Sequence, residues 1–215
     1  MSEKYDKTYF EEGVAKGVSG YTNYTWMPEF TIPLAHRIIQ RLKLEPGETV
    51  LDYGCAKGYL VRALRLLDIE AYGCDVSEYA LEHCHPEVRE YVHATEGFDK
   101  QQFDWIIAKD VLEHLEENQL YSFLRKAKRV SQNLFVVVPL GDGEKYIIPQ
   151  YEKDITHVLR WPTDKWREAF VTHGWSVVSA TTDMTGLKDS WKHCDGGNAA
   201  FVLWRKIVTS SCDNF

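Results

Sequence analysis

Basic residues are in deficit: 25 Lys and Arg face 32 Asp and Glu, for a formal net charge of −7. Such a chain repels a phosphate backbone, so a nucleic-acid partner would need a local basic patch. The one obvious cluster, Arg125, Lys126, Lys128 and Arg129, falls late in a predicted helix, where cations complement the dipole and face water. Nucleic acid is therefore not expected as a partner. Long apolar runs are missing too: none approaches the roughly 18 residues of a membrane span, and Met1 to Phe10 carry charges in place of an apolar leader core. A soluble cytoplasmic protein without a membrane partner is expected. The five cysteines, Cys55, Cys74, Cys84, Cys194 and Cys212, are odd in number and form no C-x-x-C or zinc-like spacing, which argues against a disulfide framework and a structural zinc site and fits reduced thiols. Repeats and low-complexity linkers are absent as well.

What the 215 residues do contain is 44% hydrophobic residues, enough for one well-buried core. From Thr49 onward, short apolar runs alternate with amphipathic stretches, the pattern of βαβ units in a mostly parallel sheet. Seven strands are predicted, at Thr49–Tyr53, Glu70–Val76, Tyr91–Ala94, Phe103–Ala108, Asn133–Pro139, Trp175–Thr181 and Ala199–Lys206. Helical spacing relates Tyr59, Leu60, Ala63, Leu64 and Leu67, and likewise Leu112, Leu115, Leu120, Phe123, Leu124 and Ala127. Another helix runs from Ile32 to Leu42 ahead of the Pro46-Gly47 turn. A further one spans Pro162 to His173, with Thr163 as its N-cap and Gly174 as its C′ residue. Three stretches break the alternation: 1–31, 140–161 and 183–198. They are rich in Gly, Tyr, Trp and His, which suits ordered functional loops better than linkers.

The most informative segment is Val50-Leu51-Asp52-Tyr53-Gly54-Cys55-Ala56-Lys57-Gly58, an apolar strand running through an acid and a small-residue turn into a helix. Gly54 and Gly58 permit positive φ or close approach of a ligand to the backbone, and Ala56 is the next smallest choice. A dinucleotide site would have G-x-G-x-x-G, with its pyrophosphate on the helix amides. The spacing here is G-x-A-x-G after Asp52, which suits a ligand with an ammonium and no pyrophosphate. Seventeen residues beyond Gly58, Asp75 closes the second strand, where an acid can accept both hydroxyls of a ribose.

These two motifs, with Phe103-Asp104-Trp105-Ile106-Ile107-Ala108-Lys109-Asp110-Val111-Leu112-Glu113-His114-Leu115, resemble the class I S-adenosylmethionine-dependent methyltransferases over Val50 to Val138. The resemblance implies a Rossmann-like, doubly wound α/β fold: a seven-stranded, mostly parallel sheet with helices on both faces and the last strand antiparallel. It implies one domain over 1–215, in which 1–45 form an aromatic arm and helix acting as a lid, 46–140 the cofactor-binding half and 141–215 the substrate side. S-adenosylmethionine is the implied cofactor. Gly54, Ala56 and Gly58 would line its methionine part and Asp75 would hold its ribose, with Asp52, Tyr53, Cys55 and Val76 also among the cofactor-binding residues. Ala94 and Thr95 would flank the adenine, where the family often has an acid and this chain has none, and Lys109 and Asp110 would lie beside the cofactor.

Asp110, Glu113 and His114 stand at i, i+3 and i+4. If Asp110 opens a helix, two carboxylates and an imidazole share one face and could hold a divalent cation, and some ubiquinone-pathway methyltransferases have a similar Glu-x-x-Glu-His site. The same pattern is widespread where the acid only caps a helix, so no metal is expected and activity should survive chelation. Asp154-Ile155-Thr156-His157 lies beyond the fifth strand, on the side where open α/β sheets bind ligands, and many small-molecule methyltransferases resemble it in having Asp-x-x-His in this loop. His157 is the candidate base, oriented by Asp154, with His114 next; equally, His157 anchors the loop through a backbone bond. The expected reaction is methyl transfer to a small molecule, in particular to a hydroxyl of a sugar or related metabolite. A nucleotide-dependent oxidoreductase or epimerase on this fold, disfavoured by the glycine spacing, and a non-catalytic cofactor-binding partner remain as alternatives.

Overall fold

In the computed structural model, which describes residues 2–206, the strands follow the predicted alternation. They are β1 (Thr49–Tyr53), β2 (Glu70–Asp75), β3 (Val92–Ala94), β4 (Phe103–Lys109), β5 (Ser131–Pro139), β6 (Trp175–Thr181) and β7 (Asn198–Arg205), and the α-helices are α1 (Lys7–Glu11), α2 (Gly13–Lys16), α3 (Pro28–Leu42), α4 (Tyr59–Arg65), α5 (Glu78–Glu82), α6 (Glu117–Val130) and α7 (Thr163–Thr172). No predicted end is displaced by more than two residues. Cys212 lies outside the described residues.

One sheet holds all seven in the order β3-β2-β1-β4-β5-β7-β6. Pairings from β3 through β5 are parallel, and β7 runs antiparallel between β5 and β6. The strand order reverses direction between β1 and β4, so the carboxyl ends of these two strands open the crevice where this architecture receives ligands.

Side chains alternate between two cores, as period-2 patterning requires. On β5, Leu134, Val136 and Val138 pack on one face against α6 (Glu117–Val130) and α7 (Thr163–Thr172). Phe135 and Val137 pack on the other against α3 (Pro28–Leu42) and α4 (Tyr59–Arg65). Each fully buried side chain of this kind contributes about 1.5–3 kcal/mol. Trp175, fully buried, also donates its indole N–H to the Leu124 carbonyl at 3.2 Å, tying β6 to α6. On the opposite face of α6, Arg125, Lys126 and Arg129 are exposed, the solvated charge run expected of them.

Two helix starts differ from expectation. The helix expected from Ile32 begins four residues earlier, because Pro28 at its first turn is preset for helical φ and needs no N–H partner there. Thr163 is the first helical residue of α7 rather than its cap, the cap position being Pro162, while Gly174 follows the C-cap with φ 83° as expected.

Candidate active site

The turn after β1 is held open by alternating left-handed residues: Gly54 (φ 80°), Ala56 (φ 50°) and Gly58 (φ 75°). Its first amides are spent on the neighbouring strand, Gly54 N–H and Cys55 N–H both donating to the Cys74 carbonyl at 2.7 and 3.1 Å. Asp75 braces the rest. One carboxylate oxygen accepts Ala56 N–H at 2.7 Å and the other accepts Ser77 N–H at 2.8 Å. A Cβ on Gly54 would fall 2.4 Å from the Val111 side chain, so the turn and the β4 loop approach as only glycine permits. At Gly58 the constraint is different from the one the motif suggests. A Cβ there would meet Val88 and Val92 at 3.0 Å, in the apolar core behind the turn, and Gly58 lines neither of the ligand-sized cavities at the sheet end.

Two open cavities, of about 340 and 460 Å³, meet at Gly54, Ala56, Asp110 and Tyr21. Tyr53, Asp75, Val76 and Thr95 face the first, together with His114 and Thr156. Asp52, Cys55 and Lys109 face the second. Ala94 faces neither: it is exposed and borders a separate hollow beside Phe98 and Tyr72. Burial pushes the Asp52 carboxyl up to about 7 against the pull of Lys109, and burial likewise raises Asp75 although the Ser77 and Ala56 amides favour its charge.

The N-terminal arm lies over this opening and is bonded to it at several points. The Lys57 ammonium, on the glycine turn itself, holds the Glu11 carboxylate and the Tyr24 carbonyl. Ser77 Oγ donates to the Tyr5 carbonyl, Ile155 N–H donates to the Val18 carbonyl at 3.2 Å, and Tyr9 OH donates to Asp154 Oδ2 at 2.8 Å. Tyr9 and Phe10 are buried among Tyr5, Tyr21, Tyr24 and Tyr79, in edge-on and stacked pairs with centroids 4.8–6.2 Å apart. Such pairs add about 0.5–1.5 kcal/mol each beyond burial.

The polar end of the site departs from the sequence expectation twice. Asp110 opens no helix: it sits at φ 56° and a 3-10 turn over Leu112–His114 follows, with α6 starting only at Glu117. Its carboxylate turns away from Glu113 and His114, to Lys109 Nζ at 2.5 Å and Lys188 Nζ at 2.7 Å. Burial opposes ionisation there, but the two ammonium groups outweigh it and hold Asp110 well below the usual carboxylate range. Lys188 is itself buried and also donates to Asn198 Oδ1 at 2.8 Å. The second departure is that Asp154 does not bond the His157 ring. Its Oδ1 accepts both N–H and Oγ–H of Thr156, at 2.9 and 2.6 Å. Since that hydroxyl proton is given to Asp154, Thr156 Oγ1 can only accept at 2.8 Å from His114 Nδ1–H. His157 Nδ1 lies 2.8 Å from the Tyr151 carbonyl, which can only accept, so this ring too carries its proton on Nδ1.

When neutral, both imidazoles thus keep Nε2 unprotonated, and their ring centroids lie 4.5 Å apart. The Glu113 carbonyl brings them together by accepting Val158 N–H and Leu159 N–H at 2.8 and 2.9 Å, which seats the 112–114 turn on the loop after β5. Burial, and then the His157 ring, lower His114 to about 4; burial also lowers His157. The Glu113 carboxyl is fully buried, Oε2 has no hydrogen-bond partner, and burial with the nearby Asp110 charge pushes it up to about 8. Lys188, Thr156, Lys57 and Tyr9 were not singled out for these roles from sequence; only the density of aromatics marked the arm.

A family model described as a methyltransferase domain matches residues 26–181. No curated protein matches the sequence. Among solved structures, the methyltransferase complexed with the Haloferax volcanii Trm112 methyltransferase activator aligns at TM-score 0.66, 17% identity, over 84% of this chain and 92% of that one. CcbJ methyltransferase from Streptomyces caelestis aligns at TM-score 0.62, 14% identity, over 85% and 91%. The [4+2]-cyclase SpnF aligns at TM-score 0.59, 16% identity, over 82% and 81%. At these identities the likeness is one of fold, and the presence of a cyclase shows that fold alone does not name a reaction.

Proposed function

The chain belongs to the class I S-adenosylmethionine-dependent methyltransferases, and we propose that it moves the methyl group of this cofactor to a hydroxyl of a small polyhydroxylated acceptor such as a sugar. The observation that carries the reading is one cavity that joins the Gly54–Ala56 turn and Asp75 at one end to His114 at the other, under an aromatic arm. Gly54 and Ala56 would hold the methionine part, with Asp52 as partner for its ammonium, Asp75 would hold the ribose, and Val76 and Thr95 would flank the adenine. The arm, residues 1–45, is the lid that excludes water. Flat rings with polar edges suit a sugar face and the sulfonium alike.

Transfer is an in-line displacement. The bound cofactor would supply an electrophilic methyl carbon with sulfur as the leaving atom; the chain's part is to align the acceptor oxygen and take its proton as the bond forms, which His114 Nε2 can do. His114 lines the cavity and His157 stands behind it, so the acceptor hydroxyl belongs at the His114 end. Asp154 is a positioning residue, acting on His114 through Thr156 while also tethering the lid through Tyr9.

The test is turnover of cofactor labelled in its methyl group against a panel of sugars, polyols, amines and thiols, with the labelled position located by NMR. O-methylation is expected, with tight S-adenosylhomocysteine binding and none of NAD. Label on nitrogen or sulfur overturns the acceptor assignment, and cofactor binding without turnover of any acceptor favours a binding partner over an enzyme.

A further inference from the structure

Glu113, His114 and His157 each offer one ligand atom within 4.8 Å of the other two. We propose that these three side chains form a binding site for a divalent first-row transition metal. Its membership differs from the helix-face set suggested by the sequence, because His157 takes the place of Asp110, whose charge is spent on Lys109 and Lys188.

Three features point to a cation. Glu113 Oε2 is buried without a hydrogen-bond partner among the described residues, an arrangement costing about 1–3 kcal/mol or more unless something compensates it. Both rings present Nε2 as a lone pair, fixed by Nδ1–H bonds to Thr156 and the Tyr151 carbonyl. The Asp154–Thr156–His114 chain also has the form of the outer shell that orients metal-bound histidines, a carboxylate relayed to the ring nitrogen remote from the ion.

Two imidazoles and one carboxylate suit zinc, cobalt, manganese or iron rather than magnesium or calcium, which take mostly oxygen ligands. Metal bonds of about 2.0–2.2 Å place tetrahedral ligand atoms about 3.3–3.5 Å apart, so small side-chain rotations would close the set. Three protein ligands leave a position open, and His114 puts that position at the cavity wall. Resting on the O-methylation reading above, the open position takes the acceptor hydroxyl. With both imidazoles on the ion, the ion would take over from His114 as the acidifying group: the hydroxyl would give up its proton to solvent on binding, before the lid closes, and the resulting alkoxide would be the nucleophile for the methyl carbon, with sulfur keeping the C–S pair.

The experiment uses the full chain, stripped with EDTA and dialysed, then titrated with Co²⁺ alone. One Co²⁺ per chain is expected, with visible absorption bands of four- or five-coordinate cobalt displaced by Zn²⁺. Glu113→Gln and His157→Gln should each weaken binding at least tenfold, while S-adenosylhomocysteine affinity stays within about threefold of the parent. As a check needing no variant, ¹⁵N NMR of the parent should show both Nε2 resonances moving on addition of Zn²⁺. Unmoved Nε2 resonances, or equal Co²⁺ binding by parent and a His114→Gln/His157→Gln double variant, would overturn the site. Turnover of the methyl-labelled cofactor with the acceptor panel tests the O-methylation reading separately: label on nitrogen or sulfur refutes that reading and leaves the metal result intact.

Discussion

Replacing Asp75 by alanine removes two kinds of interaction at once, and the structure allows them to be separated. A carboxylate has about four acceptor sites; two are taken by Ala56 N–H and Ser77 N–H, leaving two for the ribose hydroxyls. At about 1.5–3 kcal/mol net for each bond to a charged group, loss of both ribose bonds costs about 3–6 kcal/mol and weakens cofactor binding by roughly a hundredfold to ten-thousandfold. The lost Ala56 bond has its own consequence, since it holds an L-residue at φ 50°, a conformation costing about 1–2 kcal/mol. Asp75→Ala should therefore lower both S-adenosylhomocysteine affinity by calorimetry and the melting temperature of the free protein. Adding Ala56→Gly removes the Cβ penalty in the turn, so the Asp75→Ala/Ala56→Gly double variant should regain part of the melting temperature and none of the affinity. If affinity returns together with stability, Asp75 is only a brace for the turn and the ribose assignment is wrong. Unchanged affinity in the single variant refutes it more directly.

Two further outcomes follow from buried groups near the turn. The folded-state pKa of Asp52, about 7, lies above the ordinary 3.8, so its contribution to stability is complete below about pH 4 and is lost as pH rises toward 7. At about 1.36 kcal/mol per pH unit this amounts to at most about 4 kcal/mol. Urea unfolding of the cofactor-free protein should show a fall between pH 4 and 7 that is shallower in Asp52→Asn, and equal slopes would contradict the buried, poorly compensated carboxylate. Gly58→Val would press into Val88 and Val92 and hold a β-branched residue at φ 75°. It should lower the melting temperature outright instead of only abolishing cofactor binding, and a variant with parental stability would show the glycine is not a packing requirement.

Most of the sheet was legible because a parallel strand buried on both faces reads as a near-continuous apolar run, as in Leu134 to Val138, and because the acids that matter stand at strand ends. Asp52, Gly54, Ala56 and Asp75 could be found this way, since each serves a constraint local in sequence: a turn, a strand end, a close approach. The polar end of the site obeys no local constraint. Asp110 reads as a helix cap by its spacing to Glu113 and His114, but two lysines claim its charge, and one of them, the buried Lys188, lies 78 positions away in a loop whose composition says nothing about charge. Asp154 reads as the partner of His157 three residues on, yet its oxygens face Tyr9 and Thr156, so the carboxylate orients His114 from another loop. The adjacent pair in sequence was replaced by a pair related through a threonine that has no motif of its own. The alternatives at His157, base or anchor, turn out not to exclude each other. Its Nδ1 anchors the loop to Tyr151, and that same bond leaves Nε2 as the lone pair of a ring grouped with His114 and Glu113. A histidine tethered at one nitrogen is better prepared for chemistry at the other, because its tautomer and ring plane are settled before any ligand arrives.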